Sequence, residues 1–230
     1  MHSYSIPYGI IGTAYFGIQT YDRDKYVSEI KKTNDWKPVI DGKNIHNFLL
    51  DKPLEFVCFE KKAVKSGGND NVYNTERICT RQIGETPIAT IVPAGIYTLN
   101  TVYNLYFDKT TKYSIKYILG IMLSTCFKFY WKMKYFDEKK TFPKIKKDAL
   151  LDMPIPFLDL SKKTDKTKHD NLVLLVDQML ELKRKEVAEK NQQLKTMITR
   201  QIEGIDKAID TAVYGLYNLT EDEIRVVEGG

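Results

Sequence analysis

The feature that most constrains the fold is a change in hydrophobic pattern near residue 160 of the 230-residue chain. Before it, apolar residues alternate with polar ones in short runs, which is typical of half-buried strands. After it, they recur every three or four residues, as on one face of a helix. Two stripes show this spacing: Leu172, Leu175, Val176, Met179 and Leu182, then Leu194, Ile198, Ile202, Ile205, Ile209 and Val213. We therefore predict an α+β fold, with a sheet-rich region over residues 1–160 and coiled-coil-like helices over 161–230.

The strand pattern predicts a mostly antiparallel sheet. Alternating runs occupy residues 54–59, 77–82, 87–92 and 101–107, and a glycine-rich and aromatic stretch at 8–20 suits a strand and turn. Residues 22–32 fit a short polar helix or a loop. The connections are too short for the crossovers that parallel strands need, which is why we expect antiparallel pairing.

The helical pattern predicts one buried helix over residues 114–133, packed under the sheet. Its apolar residues surround most of the circumference, but Gly120, Ser124, Thr125 and Lys128 make it too polar for a membrane span. A lysine-rich linker is expected at 161–169, and an interruption of the helical stripes at 186–193. Thr220, with Glu223 three residues later, is a capping-box pattern that predicts a final helix.

Charge is distributed unevenly between the two regions. From residue 161 onward there are 12 Lys+Arg and 13 Asp+Glu, so the first 160 residues hold 23 of the 35 cations and 17 of the 30 acids. The net +5 of the chain therefore resides in the sheet-rich region. Such an excess permits a polyanionic partner without requiring one.

The cysteines indicate structural thiols rather than a disulfide framework or a metal site. Cys58, Cys79 and Cys126 are odd in number, widely spaced and set in apolar runs, and the three histidines make no zinc-ligand spacing with them. Buried free thiols in a reducing cytosol are expected. The first residues lack the basic start and apolar core of a signal peptide.

Cations and amides lie on or beside the predicted strands, where they could read DNA. Arg77 and Arg81 share one face of their strand, with Gln82 on the other, and such side chains pair with guanine and adenine in the major groove. Ion pairs of Arg77 and Arg81 with Glu76 or Glu85 are an equally good interpretation. Lys43, Asn44 and His46 follow Gly42 in a predicted turn, where phosphates or bases could be contacted, although a plain surface turn fits as well.

Further candidates flank other loops. Gln19, Thr20 and Arg23 follow a predicted strand end, and Lys65 begins a glycine-containing loop. Lysines at 139–140 and 144–147 could add affinity that does not depend on base sequence. For each of these, a solvated surface role is the alternative.

Two patterns resemble catalytic sites only superficially. Gly9, Gly12 and Gly17 match neither a dinucleotide fingerprint nor a phosphate loop. Asp51, Glu60 and Lys62 imitate the acid–acid–lysine set of metal-dependent nucleases, but such triplets arise easily in a chain this rich in charge. We predict no catalytic residue and no metal ligand.

Five phrases in one order resemble the TaqI-like C-terminal specificity domain of restriction–modification enzymes. They are Phe16-Gly17-Ile18-Gln19-Thr20, Lys37-Pro38-Val39-Ile40-Asp41-Gly42-Lys43-Asn44-Ile45, Ile118-Leu119-Gly120-Ile121-Met122-Leu123-Ser124, Leu151-Asp152-Met153-Pro154-Ile155-Pro156, and the stretch from Gly204 through Ile224. No phrase is specific alone, but together they span about residues 16–226. The methyltransferase that precedes this domain in most relatives, with its Gly-rich loop and its Asn-Pro-Pro-Tyr or Asp-Pro-Pro-Tyr turn, is not in this sequence.

The resemblance implies a sequence-specific reader of double-stranded DNA in a prokaryotic cytoplasm, associated with the nucleoid and not with a membrane. It implies a partner adenine methyltransferase, as in type IIG enzymes, and with it an endonuclease in some systems. S-adenosylmethionine and Mg²⁺ would be bound by that partner and not by this chain. The C-terminal helices would either fold back to cap the domain's own core or, as the length of the stripes favours, dock the partner or pair two copies in a homodimer. The alternatives are an assembly or inhibitor module that does not read DNA and, less favoured, a metal-dependent nuclease.

Overall fold

A computed structural model describes residues 4–107, 110–135 and 143–229. Among these residues the strands are β1 Ser5–Pro7, β2 Gly12–Phe16, β3 Gln19–Thr20, β4 Val27–Ser28, β5 Trp36–Ile40, β6 Ile45–His46, β7 Leu49–Leu50, β8 Glu55–Cys58, β9 Val64–Ser66, β10 Arg77–Arg81, β11 Ala89–Val92, β12 Tyr97–Thr98, β13 Val102–Phe107 and β14 Pro154–Pro156. The helices are α1 Arg23–Tyr26, α2 Asp70–Tyr73, α3 Ile115–Leu123, α4 Thr125–Tyr135, α5 Lys147–Leu151, α6 Lys163–Ala188, α7 Gln192–Tyr217 and α8 Glu221–Val227. Two 3-10 helices, Tyr8–Ile10 and Gly42–Asn44, join strands.

Two four-stranded sheets dominate the first region, as the α+β prediction requires. One has the order β11-β10-β13-β2 and is antiparallel throughout. The other has the order β12-β5-β8-β4, in which β12 alone runs parallel to its neighbour. Two-stranded antiparallel ribbons, β1–β14, β3–β9 and β6–β7, complete the sheet structure. The prediction of mostly antiparallel pairing is confirmed.

The predicted strands at 54–59, 77–82, 87–92 and 101–107 correspond to β8, β10, β11 and β13. The stretch at 8–20 forms a 3-10 helix followed by β2 and β3. Residues 22–32 contain the short helix α1 and then β4. The short extended segment that ends at Pro156 forms β14, which pairs with β1.

The prediction of a single helix at 114–133 is wrong, because the helix is broken at Ser124. Ser124 has an extended backbone (ψ 154°), and its hydroxyl accepts a hydrogen bond from Phe127 N, 3.2 Å away. The carboxylate of Asp210, on α7, accepts hydrogen bonds from the Thr125 backbone N–H (2.7 Å) and hydroxyl (2.6 Å). These bonds cap the start of α4, so a distant residue stabilises the break.

The main core lies between the sheet β11-β10-β13-β2 and the helices, with α3 at its centre. Seven of the nine residues of α3 are buried, and α3 packs against β11 on one side and α6 on the other. A Cβ atom on Gly120 would lie 2.9 Å from the side chains of both Leu172 and Val176. Glycine at this position therefore permits α6 to approach α3 closely, as predicted for a helix under the sheet.

The predicted linker at 161–169 is also wrong, because α6 begins at Lys163 and buries His169. The His169 ring accepts a hydrogen bond from Ser114 N (3.0 Å), which holds the first turns of α6 against the core. The interruption of the stripes is confirmed, since α6 ends at Ala188 and α7 begins at Gln192. Thr220 and Glu223 form the predicted capping box of α8. The division at residue 160 stays a prediction.

All three cysteines are buried and free, as predicted. Burial raises the pKa of the Cys79 thiol to about 11 and that of the Cys126 thiol to about 12, so both are neutral near pH 7. Within the described ranges, no helix has the length and apolarity needed to cross a membrane.

Candidate nucleic-acid interface

A capped turn presents Lys43 to solvent. Asp41 accepts a hydrogen bond from Lys43 N (3.0 Å), and the Asn44 side-chain oxygen accepts one from Asp41 N (3.0 Å), which together close a capping box over the 3-10 helix Gly42–Asn44. Gly42 N donates to the Thr101 hydroxyl (2.9 Å), tying the turn to the loop before β13. Because the oxygen of Asn44 is occupied by the backbone, its NH₂ group is the part able to contact a ligand.

Arg23, Asp41, Lys43 and Glu55 form a compact group of alternating charge, which we name the four-charge cluster. Arg23 Nη2 lies 3.2 and 3.3 Å from the two carboxylate oxygens of Glu55 and 3.8 Å from Asp41. Lys43 Nζ lies 3.7 Å from each of the same two carboxylates. The cations are outermost: 49% of the Arg23 side chain and 68% of the Lys43 side chain are exposed, against 15% for Asp41 and 24% for Glu55.

A second group joins the end of β10 to the β6–β7 hairpin. Arg81 Nε donates to Ile45 O (2.6 Å), and Arg81 Nη2 lies 3.4 Å from His46 Nδ1. The other ring nitrogen of His46 lies 3.0 Å from a carboxylate oxygen of Asp51. Thr101 links this group to the turn of the four-charge cluster, because its hydroxyl accepts from Gly42 N and its carbonyl accepts from the N–H of Gln82, the residue after Arg81.

The β6–β7 hairpin is anchored to the core by Phe48. This residue adopts a positive φ of 60°, which is unusual for a bulky side chain, and its side chain is buried in the main core. Phe48 N donates to Ala89 O (3.1 Å), and the Asn47 side chain accepts a hydrogen bond from Ala89 N (3.3 Å). Burial of Phe48 offsets the backbone strain and fixes the position of His46.

Gln19, Thr20 and Lys65 lie together on the β3–β9 ribbon, as their proximity to turns suggested. Gln19 pairs with Ser66 and Thr20 with Val64 in the strand register, and Lys65 is exposed between them. A Cβ on Gly17 would lie only 2.1 Å from Leu99 O, so no residue with a side chain fits at this position. The ribbon is thereby held against the second sheet, three residues from Arg23.

Gln82 closes the surface on the other side of Arg81. Its backbone N–H donates to Thr101 O (2.9 Å), and its carbonyl accepts from Ile145 N (2.8 Å). Lys144 and Lys146 flank Ile145 and are exposed, so part of the predicted lysine group adjoins Gln82. Lysines 139 and 140 lie outside the described residues.

Arg77 requires a correction, because it is fully buried and has no surface with which to touch DNA. Its Nε donates to Asn104 Oδ1 (2.7 Å), and its other nitrogens donate to Ile96 O (2.7 Å) and Thr75 O (3.2 Å). Its guanidinium also lies 5.2 Å from the Tyr73 ring centre. Arg77 shares a strand face with Arg81, as predicted, but the Arg77 end of that face is buried in the protein interior.

The alternative for these arginines, pairing with Glu76 or Glu85, is not seen among the described residues. Both arginines hydrogen-bond neutral acceptors instead, and Glu85 lies 4.0 Å from Lys132.

Sequence reasoning missed three residues of this surface: Asp41, Glu55 and Thr101. The acids were not selected because DNA readers are sought among cations and amides. The β5–β8 pairing of Val39 with Glu55 brings these two carboxylates together, and this register was not evident from the sequence. The signal available was the strand alternation that precedes Asp41 and follows Glu55.

The nuclease set is not assembled. Asp51 contacts His46, whereas Glu60 pairs with Lys62 at 2.7 Å, and this contact lowers the pKa of Glu60. Among the described residues, no three His, Cys, Asp or Glu side chains are grouped so that they could hold a metal ion. Gly12 packs beside Tyr8 and Gly17 beside Leu99, in strand and turn roles.

Fold and surface together define a class: a binding module in which an α+β scaffold presents cations and amides from loops and strand ends. The chain belongs to the TaqI-like C-terminal specificity domain family, whose sequence model matches residues 37–155. No curated protein sequence matches the chain.

One solved structure of low sequence identity shares the fold, and two others give weaker matches. The Type IIL restriction–modification enzyme MmeI, in complex with DNA, is 9% identical with a TM-score of 0.55; the match covers 97% of this chain and 34% of MmeI. The Type I restriction–modification S subunit from M. genitalium is 13% identical over 89% of this chain and 46% of its own (TM-score 0.49). The HsdS subunit from Thermoanaerobacter tengcongensis is 11% identical over 94% and 45% (TM-score 0.49). The chain thus spans about a third of MmeI and less than half of either subunit.

Proposed function

We propose that this chain is a target-recognition domain that reads duplex DNA for a restriction–modification or phage-defence system. The observation that carries the proposal is the continuous surface from Arg23 through Lys43 and His46 to Arg81. Every member is set by backbone or side-chain hydrogen bonds to the sheets, as base readout requires. Membership of the specificity-domain family and the likeness to MmeI, whose structure contains DNA, support it.

Within this surface we assign two kinds of contact. Arg23, Arg81, Gln82, Asn44 and Gln19 carry the planar forks and amides that match base edges. Lys43, His46, Thr20, Lys65 and the lysines beside Ile145 would contact phosphates, which fix the register on DNA without reading it. Arg77 is left out of the interface because it is buried.

We propose that the chemistry takes place on another segment or subunit. An adenine methyltransferase would bind S-adenosylmethionine and receive the flipped base, and an endonuclease, where the system has one, would use Mg²⁺. The present chain would supply the choice of site. One recognition surface and no internal repeat in the sequence imply a half-site or a short asymmetric site.

The helical region, residues 161–230, is proposed as the docking region for that partner or for a second copy. Apolar side chains near the turn between α6 and α7 are exposed among the described residues: Val187 of α6 is 66% exposed, and Leu194 and Met197 of α7 are 47% and 58% exposed. Sedimentation of the purified chain alone and with a cognate methyltransferase would distinguish a homodimer from a heteromeric contact.

The function is tested by binding the purified chain to a randomised duplex pool at two salt concentrations and sequencing the retained DNA. We expect one enriched motif and an affinity that falls steeply with salt. Salt-sensitive binding without enrichment would show that specificity requires the methyltransferase. Absence of binding at both salts would overturn the proposal in favour of the protein–protein assembly module.

A further inference from the structure

The four-charge cluster has no net charge, which is unexpected at the centre of a surface proposed to bind a polyanion. Asp41 and Glu55 repel phosphates, so a surface that used Arg23 and Lys43 for attraction alone would bind more tightly without the acids. Exposed ion pairs contribute little to folding stability, typically below about 1 kcal/mol. Neither attraction nor the stability of the ion pairs therefore accounts for Glu55, which caps no helix among the described residues.

The geometry of Glu55 indicates what it does. Its two oxygens are nearly equidistant from one nitrogen of Arg23, Nη2, at 3.2 and 3.3 Å. Glu55 lies at the start of β8 in register with Val39, so its backbone is fixed by the sheet. Among the described residues, no acceptor takes a hydrogen bond from Nε or Nη1 of Arg23. The carboxylate thus holds Nη2, whose second hydrogen can still form a two-donor fork with a neighbouring N–H of the guanidinium.

We propose that Glu55 is a positioning residue that orients Arg23 for a base edge with two acceptors. Guanine in the major groove, through O6 and N7, is the edge that an arginine fork matches. A guanidinium fixed by a carboxylate loses less conformational entropy on binding, and cannot turn as freely toward a phosphate. The proposal rests on the proposed DNA-reading function and names the pair that would carry part of its specificity.

Asp41 has a different role in the same cluster. Its carboxylate caps the 3-10 helix through Lys43 N, and it lies farther from Arg23, at 3.8 Å. Substitution of Asp41 would disturb the turn itself, so it cannot separate orientation from folding. Glu55 makes no such cap, which makes it the informative position.

The test compares Glu55→Gln with Asp24→Asn. Both variants remove one negative charge next to Arg23, but Asp24 is exposed and has no ion pair among the described residues. Dissociation constants are measured for the motif found by selection and for a scrambled duplex of equal length, at two salt concentrations. Melting curves check that each variant is folded.

For Glu55→Gln we expect tighter binding to the scrambled duplex and a specific-to-scrambled affinity ratio that falls about tenfold, the size of one lost bidentate base contact. Asp24→Asn should tighten both complexes equally and keep the ratio. Repeated selection should show that Glu55→Gln and Arg23→Ala relax the same guanine position. In the double variant, the loss of ratio should not exceed that of Arg23→Ala.

An unchanged ratio in Glu55→Gln, with wild-type protein that remains selective, would overturn the inference and leave the proposed function standing. Relaxation at a different position from that of Arg23→Ala would overturn it as well. If Glu55→Gln weakened both complexes in proportion, Glu55 would be merely structural. Failure of the wild-type chain to select any motif, by contrast, would remove the proposed function and this inference with it.

Discussion

The two ends of β10 carry the same side chain on the same face of one strand, yet they have opposite surroundings. Arg77 is fully buried, and Asn104 together with two backbone carbonyls accepts its hydrogen bonds. Arg81, four residues on, reaches the surface beside Ile45 and His46. A pattern of cations along a strand therefore shows which face they share. Whether each cation is structural or free to bind a ligand depends on what packs against that part of the face.

Substitution of Arg77, at the buried end, should have the largest effect, and that effect should be on stability. Arg77→Met removes the N–H groups that donate to three acceptors, and it leaves the carbonyls of Thr75 and Ile96 without this hydrogen bond. We therefore expect the free energy of unfolding to fall by roughly 3 kcal/mol. Urea denaturation measures this. Arg77→Lys should recover only part of the loss, because one ammonium cannot span the same three acceptors.

The matched variant at the surface end is Arg81→Met. For this variant we expect the free energy of unfolding to fall by less than about 1 kcal/mol. Equal losses for Arg77→Met and Arg81→Met would contradict the contrast between the two ends.

The surface end should show its effect in binding instead. Arg81→Ala should weaken the complex with the selected motif about tenfold, as expected when one arginine contact to a base edge is lost. Arg81→Lys keeps the charge without the fork, so it should retain affinity for scrambled duplex while losing preference for the motif. A lysine variant with full preference would place Arg81 on a phosphate.

Sequence alone predicted four of the longer strands, because alternation and turn residues are local signals. β8, β10, β11 and β13 lie where the pattern places them. It did not predict that β12 runs parallel to β5, since a two-residue strand leaves no pattern to read. It also missed the break at Ser124, because the cap of the following helix is Asp210, 85 residues from Thr125.

The candidate site also has features that the sequence predicts and features that it does not. The turn at Lys43 and Asn44 could be predicted, because Asp-Gly and the capping residues are adjacent in the sequence. The burial of Arg77 could not, because its partner Asn104 is contributed by β13, 27 residues further on. The carboxylates of the four-charge cluster likewise depend on strand register. Local signals place side chains on elements, and only the pairing of elements shows which side chains meet.

The smallest effect should come from Lys65, which lies on the β3–β9 ribbon. Its side chain is exposed, so we expect Lys65→Ala to leave stability unchanged and to weaken specific and scrambled complexes equally. The slope of log affinity against log salt should become shallower by about 1, the signature of one phosphate contact. Lys190→Ala, between α6 and α7, removes the same charge outside the proposed surface and should change neither slope nor preference. A loss of preference in Lys65→Ala would instead assign Lys65 to a base edge, since phosphate contacts alone cannot discriminate between the two duplexes.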